Sequence, residues 1–315
     1  MKNLRIGQAE NAAAATGCTV LIFDKGAPAG LDIRGGGPAS RDGSLLDPLA
    51  NADRIHAVLL SGGSAFGLDA AGGVMRYLEE RGIGYDVGPT KVPLVCQSSL
   101  FDLSVGDARV RPDADMAYAA CVASETGNYR DGNHGVGTGA TVGKLFQTRF
   151  AMKSGVGSCA LRMGELEIGA VVAVNALGDI FDWQTGKQIA GLLNEEKNGL
   201  RRTADEMYRS YRKVGNRFVS NTTIGAIVTN AKFDKTKLCK IAGMGHDGMA
   251  RSIRPVHSTA DGDSLYAVSV GEVEADLDMI GTLAADVVSE AILQAVRSAE
   301  AAYGFPAARD LNIPD

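Results

Sequence analysis

The feature that most constrains the fold is an apolar run at residues 224–229, which follows a long polar segment. The run reads Ile-Gly-Ala-Ile-Val-Thr and is rich in β-branched residues, a composition typical of a buried strand. The polar segment, residues 198–217, carries more basic than acidic side chains. The sequence therefore predicts an exposed connection that leads into a buried strand.

Asn221 and Thr222 lie where this connection meets the strand. A threonine in that position can attack the carbonyl of the preceding residue, and hydrolysis of the resulting ester frees the α-amine of Thr222. That amine can serve as the base for the hydroxyl of the same residue, which is one way to activate a weak nucleophile. A cluster of Ser, Thr and Asn that makes a turn before the strand is the alternative interpretation.

The composition is that of a globular chain with an acidic balance. Of the 315 residues 45% are hydrophobic, enough for a sizeable core in one large or two small domains. The net charge of −5 argues against a nucleic-acid partner. No apolar segment follows the first five residues, and no uninterrupted apolar run approaches the roughly 18 residues of a membrane span. We expect a soluble, cytoplasmic protein without a membrane partner.

The cysteines and histidines give no sign of a metal site or a disulfide framework. The five cysteines are odd in number and lack C-x-x-C spacing, and most have apolar neighbours, which predicts buried, reduced thiols. His246 and His257 are isolated and are predicted to be structural. We expect no metal and no cofactor.

Two glycine-rich stretches have the look of phosphate loops but lack the residues that such loops need. Residues 62–67 do not fit G-x-G-x-x-G, so close packing of a helix on a strand is the better interpretation. Residues 135–143 precede Lys144, but a Walker motif would require Gly at position 138 and Ser or Thr at position 145. The chain has Thr138 and Leu145 there. We do not expect nucleotide binding.

Strands and helices are interspersed without a strict βαβ alternation, a pattern that suits a layered α/β sandwich. The apolar patterns predict strands at residues 19–23, 57–60, 168–174, 224–229 and 264–270. They predict helices at about residues 65–81, from 111 onward, at 203–213, after a cap at Asp234 or Thr236, and at 277–303. Residues 182–217 are interpreted as a surface linker and residues 305–315 as a tail.

Six stretches, in order, carry a resemblance to a known family. They read DIRGGGP (32–38), LSGGSAFGLDA (60–70), GTGATVGK (137–144), VAVNA (172–176), NTTIGAIVTN (221–230) and RPVH (254–257) running on to DGD (261–263). Together they resemble the L-aminopeptidase/D-esterase family of self-processing N-terminal-nucleophile amide hydrolases. That family includes β-aminopeptidases and 6-aminohexanoate-oligomer (nylon) hydrolases.

The resemblance implies a fold and a processing event. It implies a four-layer αββα sandwich formed by a single domain of residues 1–315. Cleavage between Asn221 and Thr222 would leave a large chain of residues 1–221 and a small chain of residues 222–315. It also implies a homo-oligomer, a tetramer of such processed pairs.

The resemblance further implies the roles of five site residues. Thr222 would be the nucleophile, and Asn175 and Lys144 would stabilise the oxyanion that forms on the attacked carbonyl. Asp261 and Asp263 would orient the α-ammonium group and hydroxyl of Thr222, since residues two apart in an extended segment face the same side.

Each of these residues also has a plain alternative. By themselves, Lys144 is typical of a solvated surface lysine, Asn175 of a turn at a strand end, and Asp261-Gly262 of a tight turn. Phe101 stands where the family is expected to have a tyrosine, so a substrate contact through that hydroxyl is absent.

The implied function is a self-cleaving hydrolase, an aminopeptidase or amidase acting on small peptides or amides. A 6-aminohexanoate-oligomer hydrolase is the alternative within the family. A non-catalytic ligand-binding scaffold that keeps the fold is the alternative from another class.

Overall fold

The computed structural model describes residues 1–211 and 221–311. Strands in the first part of the chain are β1 (Arg5–Asn11), β2 (Thr16–Ala27), β3 (Ala29–Ile33), β4 (Ala39–Arg41), β5 (Ile55–Ser61), β6 (Tyr85–Asp86), β7 (Lys91–Val92) and β8 (Val95–Ser99). Those that follow are β9 (Thr141–Val142), β10 (Leu145–Thr148), β11 (Met152–Lys153), β12 (Val156–Met163), β13 (Leu166–Asn175), β14 (Asp179–Phe181), β15 (Gln188–Ala190), β16 (Thr222–Ala231), β17 (Ile253–Arg254) and β18 (Ser264–Val273). The α-helices are α1 (Ala71–Glu79), α2 (Ala114–Ala123), α3 (Thr203–Arg209), α4 (Lys235–Ser252) and α5 (Leu277–Arg297).

Ten of these strands form two five-stranded sheets of the same design. The first sheet has the order β1-β2-β5-β8-β4 and the second the order β12-β13-β16-β18-β3. In both sheets the third and fourth strands are parallel and the other neighbours are antiparallel. The chain passes from the first sheet to the second at Pro28, between β2 and β3.

Three apolar clusters define four layers. One cluster joins α1 and α2 to the first sheet, and another joins α4 and α5 to the second sheet. The third lies between the sheets and contains residues of both, such as Leu21 and Val58 from the first and Ala173 and Ile224 from the second. The predicted αββα order is therefore confirmed.

The central strand β16 shows why its sequence is a continuous apolar run. Ile224, Ala226 and Val228 lie in the cluster between the sheets, whereas Ile227 lies in the cluster against α4 and α5. Successive side chains of a strand point to opposite faces, so a strand covered on both faces needs apolar residues at every position. By the same alternation, Thr222 faces the layer between the sheets.

The five predicted strands are confirmed, and each is longer than predicted at one or both ends. Asp234 is the cap of α4, because its carboxylate accepts a hydrogen bond from the Lys237 N–H at 2.9 Å. The helix predicted at residues 65–81 is a 3₁₀ helix, Ser64–Ala70, that continues into α1. The helix predicted from residue 111 onward begins at Ala114, after Asp113.

The prediction that residues 182–217 and 305–315 lie on the surface is wrong in part. Residues 190–193 of the supposed linker are buried, and so is Thr203, whose N–H and hydroxyl both bind the buried carboxylate of Asp179. α3 ends at Arg209; the rest of the predicted helix and linker, from residue 212, lies outside the described residues. α5 ends at Arg297, and the supposed tail contains a buried Ala307 and a 3₁₀ helix, Ala308–Asp310.

α5 is the one helix within the described ranges that is long and apolar enough to cross a membrane, and 67% of its most apolar stretch is buried inside the fold. It packs on the second sheet through Ile280, Ala284 and Val288. The five cysteines are free thiols; three are buried and two, Cys159 and Cys239, are half-buried.

Candidate active site

The candidate site lies at the end of the second sheet where β13 ends and β16 begins. Thr222 is the first residue of β16 and is 4% exposed. Its partner across the antiparallel ladder is Asn175, the last residue of β13 and fully buried. The sheet register therefore brings together two of the residues that the sequence singled out.

The peptide bond before Thr222 is held by the turn at residues 260–262. The Thr222 hydroxyl donates a hydrogen bond to the Asn221 carbonyl oxygen. The same oxygen accepts the Gly262 N–H at 3.2 Å, and the Asn221 N–H donates to the Ala260 carbonyl at 3.2 Å. Asn221 thus forms a parallel β-bridge with Asp261, and its carbonyl lies between a hydroxyl and an N–H donor.

Gly262 leaves room for the Thr222 hydroxyl. A Cβ atom at position 262 would lie 2.8 Å from Thr222 Oγ1, closer than real Cβ contacts come. The sequence suggested only a turn at Asp-Gly. The glycine also brings an N–H donor up to the carbonyl that precedes Thr222.

Lys144 and Asn175 form a buried polar pair. The Lys144 ammonium donates to Asn175 Oδ1 at 2.7 Å and to the Asn175 carbonyl at 2.9 Å. Asn175 Oδ1 also accepts the Thr141 N–H at 3.1 Å, and Asn175 Nδ2 donates to the Phe101 carbonyl at 2.8 Å. Lys144 is 2% exposed, so the interpretation as a solvated surface lysine is wrong. The second amide proton of Asn175 and the third ammonium proton of Lys144 have no hydrogen-bond partner within residues 1–211 and 221–311.

Burial shifts the pKa values of two charged residues of the site, Lys144 and Asp261. It lowers the pKa of Lys144 to about 7, although the carboxylates of Asp261 and Asp102 oppose the shift. The pKa of Asp261 is raised to about 6, first by burial and then by the neighbouring Asp263. Perturbed groups of this kind are typical of functional sites.

Asp261 and Asp263 approach Thr222 from the segment that leads into β18, the strand beside β16. Asp263 Oδ1 accepts the Thr223 N–H at 2.7 Å, so this carboxylate holds the residue after Thr222. Asp261 accepts the Leu177 N–H at 3.4 Å and the N–H and hydroxyl of Ser258. Among the described contacts, the Thr222 hydroxyl donates to neither carboxylate.

His257 is a neighbour of the site that the sequence did not place there. Its N–H and its Nδ1 both contact Asp263 Oδ2, at 3.0 and 2.8 Å. The ring packs edge to face on His246, with ring centroids 4.7 Å apart. His257 stands six residues before Asp263, and that spacing alone gives no sign of the contact.

Two other recognised stretches make close backbone contacts, and the one at residues 32–38 makes them with the same turn. The N–H groups of Arg34 and Gly35 donate to the Asp263 carbonyl, and that of Gly37 donates to the Asp261 carbonyl. In the first sheet, the Gly63 N–H donates to the Asp102 carboxylate at 2.8 Å. That carboxylate lies beside Gly62, where a Cβ would be 1.9 Å from it, so an aspartate occupies this glycine-rich turn.

Within the described ranges, no group of three or more His, Cys, Asp or Glu side chains is arranged to hold a metal ion. The groups that the site does offer are a hydroxyl, unused N–H donors on Asn175 and Lys144, and two buried carboxylates. These groups suit attack on a carbonyl and stabilisation of the resulting oxyanion.

Comparison with solved structures identifies the fold class. The chain superposes on an L-aminopeptidase D-Ala-esterase/amidase from Ochrobactrum anthropi with a TM-score of 0.70, 17% identity, and coverage of 95% of this chain and 85% of that one. A β-aminopeptidase from Burkholderia sp. gives a TM-score of 0.68 at 18% identity, covering 100% and 94%. The O. anthropi enzyme is described as a variant of the Ntn-hydrolase fold. The chain has that fold.

Sequence comparison gives the family. The profile of peptidase family S58 matches residues 1–309. The chain is 36% identical to an uncharacterised aminopeptidase of Mycobacterium leprae, over 93% of this chain and 85% of that protein. It is 30% identical to a 6-aminohexanoate-oligomer endohydrolase of Agromyces sp., over 92% and 83%. The chain therefore belongs to peptidase family S58, and the protein is an amide-bond hydrolase.

Proposed function

We propose that the protein cuts its own chain between Asn221 and Thr222 and then hydrolyses small peptides or amides with Thr222 as the N-terminal nucleophile. One observation carries this proposal. The Thr222 hydroxyl lies against the carbonyl that it would attack, and that carbonyl oxygen already accepts a hydrogen bond from the Gly262 N–H. An oxyanion formed there would have a donor in place.

In the proposed cleavage, Thr222 Oγ1 bonds to the carbonyl carbon of Asn221. The bond from that carbon to the Thr222 nitrogen breaks, and the hydroxyl proton ends on the nitrogen. Water then hydrolyses the ester, which leaves a carboxylate on Asn221 and a free α-amine on Thr222. That amine is the base for later turnovers.

In the proposed turnover, the neutral α-amine takes the hydroxyl proton as Thr222 attacks the substrate carbonyl. The unused amide proton of Asn175 and the ammonium of Lys144 stabilise the oxyanion. Asp263 fixes the start of β16 by accepting the Thr223 N–H. The buried Asp261 orients the α-ammonium group of Thr222. The C–N bond of the substrate then breaks, and the α-ammonium gives its proton to the departing amine. Water hydrolyses the ester on Thr222, which releases the acid and restores the hydroxyl.

We also propose that the protein is cytoplasmic and forms a homo-oligomer of cleaved pairs. The free cysteines are compatible with a reducing compartment. Light scattering that gives a mass near one 32.8 kDa unit would contradict the oligomer.

The test of the proposed nucleophile compares two adjacent threonines. Thr222→Ala is expected to abolish hydrolysis of an amino-acid p-nitroanilide. Thr223→Val should leave most of the activity, because the Thr223 hydroxyl is buried without a hydrogen-bond partner among the described residues and valine has the same shape. Equal activity of Thr222→Ala and wild type would remove Thr222 from the mechanism.

A further inference from the structure

We propose that His257 and Ser258 are positioning residues for the reaction. Their main-chain and side-chain donors form a clamp, the 257–258 clamp, that orients the carboxylates of Asp263 and Asp261. This inference rests on the function proposed above, because it places those carboxylates at the Thr222 end of β16. It adds two residues that act on the reaction through the carboxylates.

Each residue of the clamp gives two donors to one oxygen of one carboxylate. The main-chain N–H and the Nδ1 of His257 contact Asp263 Oδ2 at 3.0 and 2.8 Å. The N–H of Ser258 donates to Asp261 Oδ2 at 3.0 Å, and the Ser258 hydroxyl donates to the same oxygen. That hydroxyl also accepts the Ala260 N–H at 3.3 Å, which directs its own proton toward Asp261. Consecutive residues therefore hold the two carboxylates in the same way.

The clamp determines which oxygen of each carboxylate faces the two strands of the site. Asp263 Oδ1 accepts the Thr223 N–H at 2.7 Å, at the start of β16. Asp261 Oδ1 accepts the Leu177 N–H at 3.4 Å, two residues after the end of β13. An ionised carboxylate offers about four acceptor positions, two on each oxygen. Among the described contacts, each Oδ1 therefore has one position left for the α-ammonium group of the cut chain.

The charges of the two carboxylates explain why such a clamp is needed. Asp261 and Asp263 are 2% and 1% exposed, and like charges that are buried side by side disfavour each other. Burial first, and Asp263 second, raise the pKa of Asp261 to about 6, and the hydroxyl and N–H of Ser258 oppose that rise. Donors to the charged form thus keep the carboxylates ionised as well as fixed in orientation.

The backbone and the ring of His257 are both held for this contact. Its φ is +56°, a left-handed conformation that is uncommon outside glycine and that histidine and asparagine adopt more readily than most residues. Its ring packs edge to face on that of His246, with centroids 4.7 Å apart. His246 is fully buried, contacts the Asp32 carbonyl through Nε2 at 3.0 Å, and is neutral at pH 7, since burial lowers its pKa to about 4. A residue held in an unusual conformation by its surroundings is typical of a functional position.

The experiment compares substitutions that keep a side-chain donor with substitutions that remove it. His257→Asn places an amide N–H where Nδ1 lies, whereas His257→Gly suits the left-handed backbone equally but has no side-chain donor. Ser258→Thr keeps the hydroxyl and Ser258→Ala removes it. His56→Leu is the control for loss of a buried histidine, because His56 lies in β5 of the first sheet and accepts the Leu94 N–H. Turnover of alanyl p-nitroanilide is expressed per cut chain, counted by intact mass, and urea denaturation reports folding.

We expect His257→Gly and Ser258→Ala to lower kcat by about tenfold to 10²-fold, the cost of a small misplacement of reacting groups. KM should change by less than about threefold, because the lost contacts act on the chemical step and not on substrate binding. His257→Asn and Ser258→Thr should stay within about fivefold of wild type, since each retains a donor. His56→Leu should lower the urea midpoint and leave kcat unchanged.

The outcomes separate the two proposals. Wild-type kcat in His257→Gly or Ser258→Ala, together with an inactive Thr222→Ala, overturns the clamp and leaves the proposed function standing. An active Thr222→Ala overturns the proposed function and, with it, the role of the clamp. Conservative variants as slow as His257→Gly and Ser258→Ala also overturn the clamp, because a restored donor should restore the rate. If His257→Gly does not fold, the two serine variants decide the question.

Discussion

Lys144 follows the glycine-rich loop of residues 135–143, and Lys153 donates hydrogen bonds to carbonyl groups of that loop. Both lysines are buried, yet their ammonium groups have different partners. Lys144 contacts the side chain and carbonyl of Asn175, which pairs with Thr222. Among residues 1–211 and 221–311, the Lys153 ammonium donates to main-chain carbonyls alone, those of Gly137, Ala140 and Ser154. Burial lowers the pKa of each lysine to about 7.

The difference teaches that burial and charge do not identify a functional lysine. The negative charge of Asp102 acts on both lysines and opposes the lowering of their pKa values. The two lysines differ in their hydrogen-bond partners. Lys144 binds the side chain of Asn175 at the end of the sheet where Thr222 lies. Lys153 links main-chain segments that are separate in sequence. We therefore expect Lys144 to act on turnover and Lys153 to act on stability.

The largest expected effect is on turnover. Lys144→Met should lower kcat by about 10²–10³, the usual cost of losing one oxyanion donor. Lys153→Met, the matched change at the other buried lysine, should stay within about tenfold of wild type. Both are assayed on an alanyl p-nitroanilide, with circular dichroism to confirm folding. Equal losses in the two variants would contradict the distinction.

A smaller effect is expected on the free energy of unfolding, where Lys153→Met should be the more harmful of the two substitutions. At pH 9 both lysines are largely neutral in the folded protein, so lost hydrogen bonds decide the outcome. Lys153→Met should cost about 1–3 kcal/mol, because the Ser154 carbonyl loses its lysine donor. Asn175 Oδ1 retains the Thr141 N–H in Lys144→Met, so that variant should lose less. Urea denaturation measures both, and a larger loss for Lys144→Met would reverse the assignment.

The lowered pKa values of the two lysines also predict how the stability of the fold changes with pH. Each lysine has a pKa of about 7 when folded and near 10.5 when unfolded, so the unfolded chain binds more protons between these values. Stability should therefore rise with pH above 7, as linkage requires. Each Lys→Met substitution should make that rise shallower; a rise unchanged in both variants would show that neither lysine titrates in this range.

The smallest expected effect is a shift of the pH–rate profile. The Thr222 α-amine must be neutral, with a reference pKa of about 7.7–8.0, whereas Lys144 must be charged, which fails as the pH rises through about 7. The profile of kcat/KM should be bell-shaped. Asp102→Asn removes a carboxylate that raises the pKa of Lys144, so the limb whose midpoint reflects Lys144 should move to lower pH by less than about one unit. If neither limb moves, Lys144 sets neither of them.

The layers and the central strands were predictable from sequence because a strand covered on both faces needs a continuous apolar run. β16 and β13 carry such runs, and the cap of α4 is Asp234, one of the two residues expected there. The approach of Asn175, Lys144, Asp261 and Asp263 to Thr222 was expected only from the family resemblance. The register that pairs Asn175 with Thr222 depends on strand order, which no local pattern contains.

The remaining features depend on contacts between distant segments. Gly262 contacts the site through its main-chain N–H, and His257 contacts it through its main-chain N–H and one ring nitrogen. Such contacts cannot be predicted from residue types along the chain. The supposed tail is held because the Pro306 carbonyl accepts the Lys153 N–H at 2.8 Å. The supposed linker is partly buried because Asp179 binds Thr203. Polar segments of this kind are mistaken for surface when their partners lie far away in sequence.

The most direct test of the central claim, that Thr222 frees its own α-amine, is the intact mass of the purified protein. Since 221 of the 315 residues precede the cut, the wild-type chain of 32.8 kDa should give pieces of roughly 23 and 10 kDa, the smaller beginning at Thr222. Thr222→Ala should give a single mass near 32.8 kDa. A wild-type chain that stays whole after prolonged incubation, or a Thr222→Ala chain that is cut at the same bond, would contradict the account.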